Sequence, residues 1–142
     1  MKVKKINRYY CDYCKKSGCS SYWMRKHEDR CTLNPNRYCG FCHLLEKDQP
    51  DLSEALKLLP EPQKYENWDD DLGFIYYSST LQTAIDDVLP KLRDFVENCP
   101  ACIMAALRQK GIPVPMATGF NFTKESQSIW AKFNSEKMGA EY

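Results

Sequence analysis

Residues 11–42 read CDYCKKSGCSSYWMRKHEDRCTLNPNRYCGFC, and this stretch holds six of the chain's eight cysteines. The spacing resolves into the pairs Cys11/Cys14 and Cys39/Cys42, with Cys99/Cys102 as a third pair farther on and Cys19 and Cys31 left over. A C-x2-C turn points two thiolates at one tetrahedral ion, half of a structural zinc shell. The first pair is completed by His27 and Cys31, which lie one turn apart on the same face of a helix predicted through SSYWMRKHEDRC. The remaining pairs complete each other, Cys39 and Cys42 facing Cys99 and Cys102. The latter two sit in NCPACIMAALRQK, with Pro100 in the first turn of a helix whose free N–H groups favour thiolate. Two zinc ions per chain are expected. His43, directly after Cys42, is an alternative to one thiolate, and Cys19 reads as a small buried apolar residue. A redox reading of Cys99-Pro-Ala-Cys102 is disfavoured because no βαβ pattern surrounds it.

The stretch around the first site resembles the ββα zinc finger in its variant with Cys as last ligand. Tyr9 and Met24 stand where that family places an aromatic and a large apolar core residue. Gly18 stands where the family has Phe, so Tyr22 or Trp23 is expected to fill the fingertip core. The facing CGFC and CPAC pairs resemble a treble-clef or zinc-ribbon site. Together, YYCDYCKKSGCSSYWMRKHEDRCTLNPNRYCGFC and the later CPACIMAALRQ resemble small zinc-finger proteins of bacteriophages and prophages, whose function is unassigned. That resemblance covers residues 8–43 and 98–110, and implies a small accessory protein in the host cytoplasm.

A length of 142 residues suits one domain or one with a small appendage. Hydrophobic residues at 43%, with 3 Trp, 9 Tyr and 6 Phe, give enough apolar surface for a core and exclude a disordered tail. No apolar run approaches the roughly 18 residues of a membrane span, and the start MKVKKINRYY leads into Cys and charge, so neither a membrane segment nor a secretory signal is expected. Cysteine density without an export signal points to a reducing compartment.

The formal charge of +1 conceals a division. Residues 1–43 carry 10 Lys+Arg against 3 Asp+Glu, whereas residues 44–142 carry 10 against 16. The chain is therefore read as a basic segment, 1–43, holding the finger and half of the second site, followed by an acidic, helical body, 44–142, holding the other half. In the body a short helix is predicted in DLSEALKLL, capped by Asp51 or Ser53, with Leu52, Leu56 and Leu59 as its stripe. LGFIYY reads as a strand or packed loop, and Asp69–Asp71 as a solvated turn or helix start. Leu81, Ile85, Val88, Leu92, Phe95 and Cys99 repeat with helical spacing, with Leu89 and Val96 thickening the stripe and Pro90 inside as a kink or a break between two helices. A helix from Pro100 stops at Gly111, and a last one after Thr123 buries Ile129, Trp130 and Phe133, with SEKMGAEY frayed. The expected fold is small, zinc-stabilised and mainly α, a ββα-like finger on a helical body closed by the second site.

For function, the basic segment points to nucleic acid, duplex DNA first, with Lys15, Lys16, Ser20, Trp23, Arg25, Lys26, Arg30 and Arg37 as candidate contacts. Aligned on His27, the base-reading positions of such a finger are Ser20, Trp23 and Lys26. Trp cannot make the bidentate hydrogen bonds that distinguish base pairs, so it is better suited to packing or stacking. Two His, one of them a metal ligand, and the absence of a Gly-rich phosphate loop or a G-x-S-x-G elbow leave little for catalysis, so a non-enzymatic protein is expected. An HNH-type nuclease would need further His or Asn around His27-Glu28-Asp29. The alternative is a module that inhibits or modulates a host defence or regulatory protein through exposed aromatics and the acidic body. No small-molecule substrate is indicated.

Overall fold

A computed structural model describes residues 1–139, with side chains through Glu136. The N-terminal lobe is a minimal hairpin, β1 (Tyr9–Tyr10) paired antiparallel with β2 (Ser17–Gly18) in the register Tyr9↔Gly18 and Tyr10↔Ser17, followed by α1 (Ser21–Arg30). Ser20 caps α1, its hydroxyl accepting from the Trp23 amide at 3.3 Å. The lobe's own core is Met24 packed between Cys11 and Cys31, with Tyr9, Cys14 and Leu33 at its edge. Tyr22 and Trp23 do not fill the fingertip; they are 57% and 66% exposed. Met24 and the inward cysteines occupy the space beneath so short a hairpin, and the two aromatics stay outside that core in solvent. Cys19 is likewise exposed, not buried as expected.

The body begins with α2 (Gly40–Leu44) and α3 (Leu52–Leu58), the latter capped by Asp51, whose Oδ1 accepts from the Ser53 amide at 3.0 Å. Next comes an antiparallel hairpin of β3 (Glu66–Asp69) and β4 (Phe74–Tyr77), which stands largely exposed, with Trp68 opposite Ile75. Its turn is built by Asp69, whose Oδ1 accepts the amides of Asp71 and Leu72, each at 3.0 Å.

One continuous helix, α4 (Ser79–Val96), contains Pro90. Pro90 faces solvent, away from the packed stripe, and the helix neither divides nor ends there. Leu81, Ile85, Leu89, Leu92 and Val96 form its buried stripe. Glu97 and Asn98, both at positive φ, then turn the chain sharply into α5 (Pro100–Gln109). Lys47 ties down that turn by donating its Nζ to the carbonyls of Val96 (2.5 Å) and Glu97 (3.2 Å).

The α5 helix is the axis of the body, with Ala101, Ile103, Ala105, Ala106 and Leu107 all buried, and it packs on α3, α4 and the last helix, α6 (Phe122–Gly139). Its alanines let the neighbouring helices approach closely. Arg93 of α4 grips Glu125 of α6 bidentately, at 2.5 and 3.1 Å. Helix α6 is half-buried at Ile129 and Phe133, but Trp130 is exposed instead of buried. The expected fraying of Ser135–Tyr142 meets a helix that continues to Gly139, and residues 140–142 lie outside the described residues. The two lobes are joined by more than the chain: Arg108 of α5 donates to Thr32 Oγ1 (2.6 Å), and Gln109 to the carbonyls of Thr32 (3.0 Å) and Asn34 (3.3 Å).

Candidate functional site

Two clusters of ligand-type side chains assemble, Cys11, Cys14, His27 and Cys31 in the finger and Cys39, Cys42, Cys99 and Cys102 in the body, and within each the ligand atoms lie within 4.8 Å of one another. In the first, the turn between β1 and β2 supplies two cysteines whose sulfurs accept backbone N–H groups, Cys11 from Tyr13 and Cys14 from Lys16, both at 3.4 Å. One face of α1 supplies the rest, bringing His27 Nε2 to 3.2 Å from Cys14 Sγ. Burial and the charge of Lys16 hold the His27 imidazole below its ordinary pKa, in the neutral form a metal requires. Burial alone raises the Cys14 thiol, but the Lys16 amide, hydrogen bonds with Cys11 and Cys31 and the Arg108 charge carry it below its usual value. Burial pushes Cys31 up.

The second cluster is more enclosed, and each pair comes from the start of a helix. Cys39 caps α2, its sulfur accepting from the Cys42 amide at 3.4 Å, while Cys99 stands at the N-cap of α5. Sulfur separations are 3.5 Å for Cys39–Cys99, 3.5 Å for Cys42–Cys102 and 3.6 Å for Cys39–Cys102. A tetrahedral shell with bonds of about 2.3 Å spaces its sulfurs by about 3.8 Å, so the set is near the geometry of a bound ion and far from disulfides. All four are buried. Hydrogen bonds from Cys102 and Cys99 lower the Cys39 thiol, while burial and the Cys99 charge push Cys42 up to about 12. Cys102 is raised by its bonds to Cys39 and Cys99. The four sulfurs cannot all ionise against one another; a dication among them removes that conflict. Gln49 braces the turn, accepting from the Cys39 amide at 2.6 Å and donating to the Arg37 carbonyl. His43 is exposed beside Tyr38 and takes no part.

Arg37 corrects the expectation of a phosphate contact. It is 5% exposed, with Nη1 4.0 Å from Cys102 Sγ and no partner for Nε. Four thiolates around a bound dication would leave two negative charges, which a buried guanidinium would partly neutralise. Nothing in its local spacing distinguishes Arg37 from its exposed neighbours, because the sulfur it faces comes from Cys102.

The other basic candidates, Lys15, Lys16, Arg25, Lys26 and Arg30, are exposed on the finger lobe. Ser20, half-buried, accepts the capping bond of α1, leaving its hydroxyl proton free. Lys16, Ser20, Trp23, Lys26 and Arg30 line an open groove of about 910 Å³, whereas Lys15 and Arg25 lie outside it. Asp29 and Tyr38 also line this groove and were missed from sequence; a bond from the Tyr38 amide to the Asp29 carbonyl (2.7 Å) brings them together.

Over 64 residues the chain is similar to a phage protein. It shares 38% identity with Defective intron-associated endonuclease 3 of Enterobacteria phage T4, a match covering 43% of this chain and 53% of that protein. The chain thus spans about half the length of the relative it matches. No protein-family model and no solved structure matches it. The relative is named as an endonuclease, which overturns the expectation of a non-enzymatic chain. That expectation rested on scarce histidine, and phosphodiester cleavage by carboxylate-bound metal ions needs none. No helix among the described residues is long and apolar enough to cross a membrane.

Proposed function

We propose that this is a zinc-binding, phage-type protein that binds nucleic acid through the basic face of its finger. All-thiolate and thiolate–imidazole tetrahedral sets are those of structural zinc, and the second ion would join residues sixty apart in sequence, closing the body around its core. The observation that carries the nucleic-acid reading is that five finger cations, Lys15, Lys16, Arg25, Lys26 and Arg30, remain exposed while the lobe's sixth candidate, Arg37, turns inward. The relation to an intron-associated endonuclease supports the same partner.

Zinc-loaded protein titrated with labelled duplex DNA tests this. With four to five phosphate contacts, affinity falls by about 10²–10³ between roughly 50 and 200 mM salt. Binding that ignores salt, or that survives complete chelation of the metal, refutes the reading. A second reading, that the chain cleaves what it binds, rests on the relative's name. Supercoiled plasmid incubated with the protein and Mg2+ tests it, and unnicked plasmid counts against it.

A further inference from the structure

We infer that the groove beside α1 is a stacking site for the unpaired bases of a single-stranded nucleic acid. This rests on the nucleic-acid reading and goes on to specify the form of the substrate.

The groove contains two exposed rings with cations nearby. Trp23 is 66% and Tyr38 42% exposed, and both line the groove. Lys26 Nζ lies 4.8 Å from the Tyr22 ring centroid and 5.9 Å from that of Trp23, within reach of a phosphate beside either, and the Arg30 guanidinium lies 5.2 Å from the Tyr38 centroid. Lys16 adds a third charge on the groove wall, and the Asp29 carboxylate offers an acceptor for a base edge. Aromatic faces beside cations that track a backbone are the equipment of single-strand recognition, where stacking captures the base and charge captures the phosphate.

Duplex readout fits the same residues poorly. A helix in the major groove reads base edges with side chains that donate or accept in pairs. Its central position here is Trp23, a single donor with a large apolar face, and the preceding Ser20, whose oxygen caps α1, keeps only one hydroxyl proton to donate. Paired bases offer their faces to one another, so such a ring finds nothing to stack on in an intact duplex. Packing does not account for Trp23 either, since it touches Tyr22 only edge-on at 5.3 Å and stays outside the Met24 core.

Full-length, metal-loaded protein is titrated by fluorescence anisotropy with oligothymidylate of about 12 nucleotides, within the usual single-strand site sizes, and with duplex of equal length. The expected result is tighter binding of the single strand by at least about tenfold. Losing one stacking contact in Trp23→Ala weakens single-strand binding about 5- to 140-fold, with duplex binding within about twofold and Trp23→Phe close to wild type. Metal content of each variant is measured alongside, because an intact cluster shows that the finger has folded. Equal or tighter duplex binding, or an unaffected Trp23→Ala, overturns the stacking site but leaves the basic-face reading standing. Absence of binding to either form at low salt overturns both.

Discussion

Replacing Arg37 by Gln removes the one buried cation beside the four-cysteine cluster and leaves the finger's exposed charges untouched. Its guanidinium stands 4.0 Å from Cys102 Sγ, where two unit charges attract by about 4 kcal/mol at an effective dielectric of about 20. Burying the guanidinium costs several kcal/mol, so only part of that attraction is net gain. Partners behind the ligand shell are generally worth about 10- to 100-fold in metal affinity, or about 1.4–2.8 kcal/mol, and Arg37→Gln is expected in that range. The assay is competition against a chromophoric chelator, which resolves the two metals of one chain. The phase that weakens in the variant is expected to be that of the body cluster, the finger phase does not move, and Arg37→Lys falls between because it keeps the charge without the planar fork. Unchanged affinity at both sites in Arg37→Gln refutes the electrostatic account of its burial. So does a loss of nucleic-acid affinity with both metals retained, because it would place Arg37 on the binding face.

Cys99→Ser is expected to release one of two metals and to lower the melting temperature of the body, with the finger's metal retained; a chain that still binds two by elemental analysis contradicts the four-cysteine assignment. Reversing Lys15, Lys16 and Arg25 to Glu is expected to abolish nucleic-acid binding at moderate salt with both metals in place, read by anisotropy. Glu125→Gln is expected to destabilise the protein at neutral pH by about 1–2 kcal/mol in urea melts, since its partner Arg93 is left without a counter-charge and the pair is about one-quarter exposed. Burial alone raises the Glu125 carboxyl, but the Arg93 guanidinium and the Asn121 amide carry it below the ordinary carboxylate value. A depressed folded pKa gives stability that is present at neutral pH and lost as pH falls through it, so the variant and wild type converge in acid. A gap that stays constant down to acid pH contradicts this.

Both Cys/His clusters were legible because metal chemistry imposes short, fixed spacings on the residues that could serve it. Two thiolates on a tight turn must lie two residues apart, and His27 and Cys31 must share a helix face. The stripe from Leu81 to Val96 was legible for the same reason, since burial along one helix repeats with the helical period. Partnership of Cys39 and Cys42 with Cys99 and Cys102 followed from elimination, although nearly sixty residues intervene.

Tertiary structure decided whatever depends on which surface meets which. Arg37 and Arg30 look alike in the chain, yet one is held within the body against Cys102 and the other lies over Tyr38 in solvent. Trp23, offered with Tyr22 for the fingertip because Gly18 stands where the resembled finger has Phe, and Trp130, placed in the core by helical period, both end exposed because Met24 and the cysteines fill the finger, and α5 already fills the body. Pro90, which forbids a helical hydrogen bond by its chemistry, was absorbed because it falls on the solvent face of α4. Spacing reports what one segment requires of its own backbone; burial and charge pairing depend on distant segments, and only the folded chain brings those together.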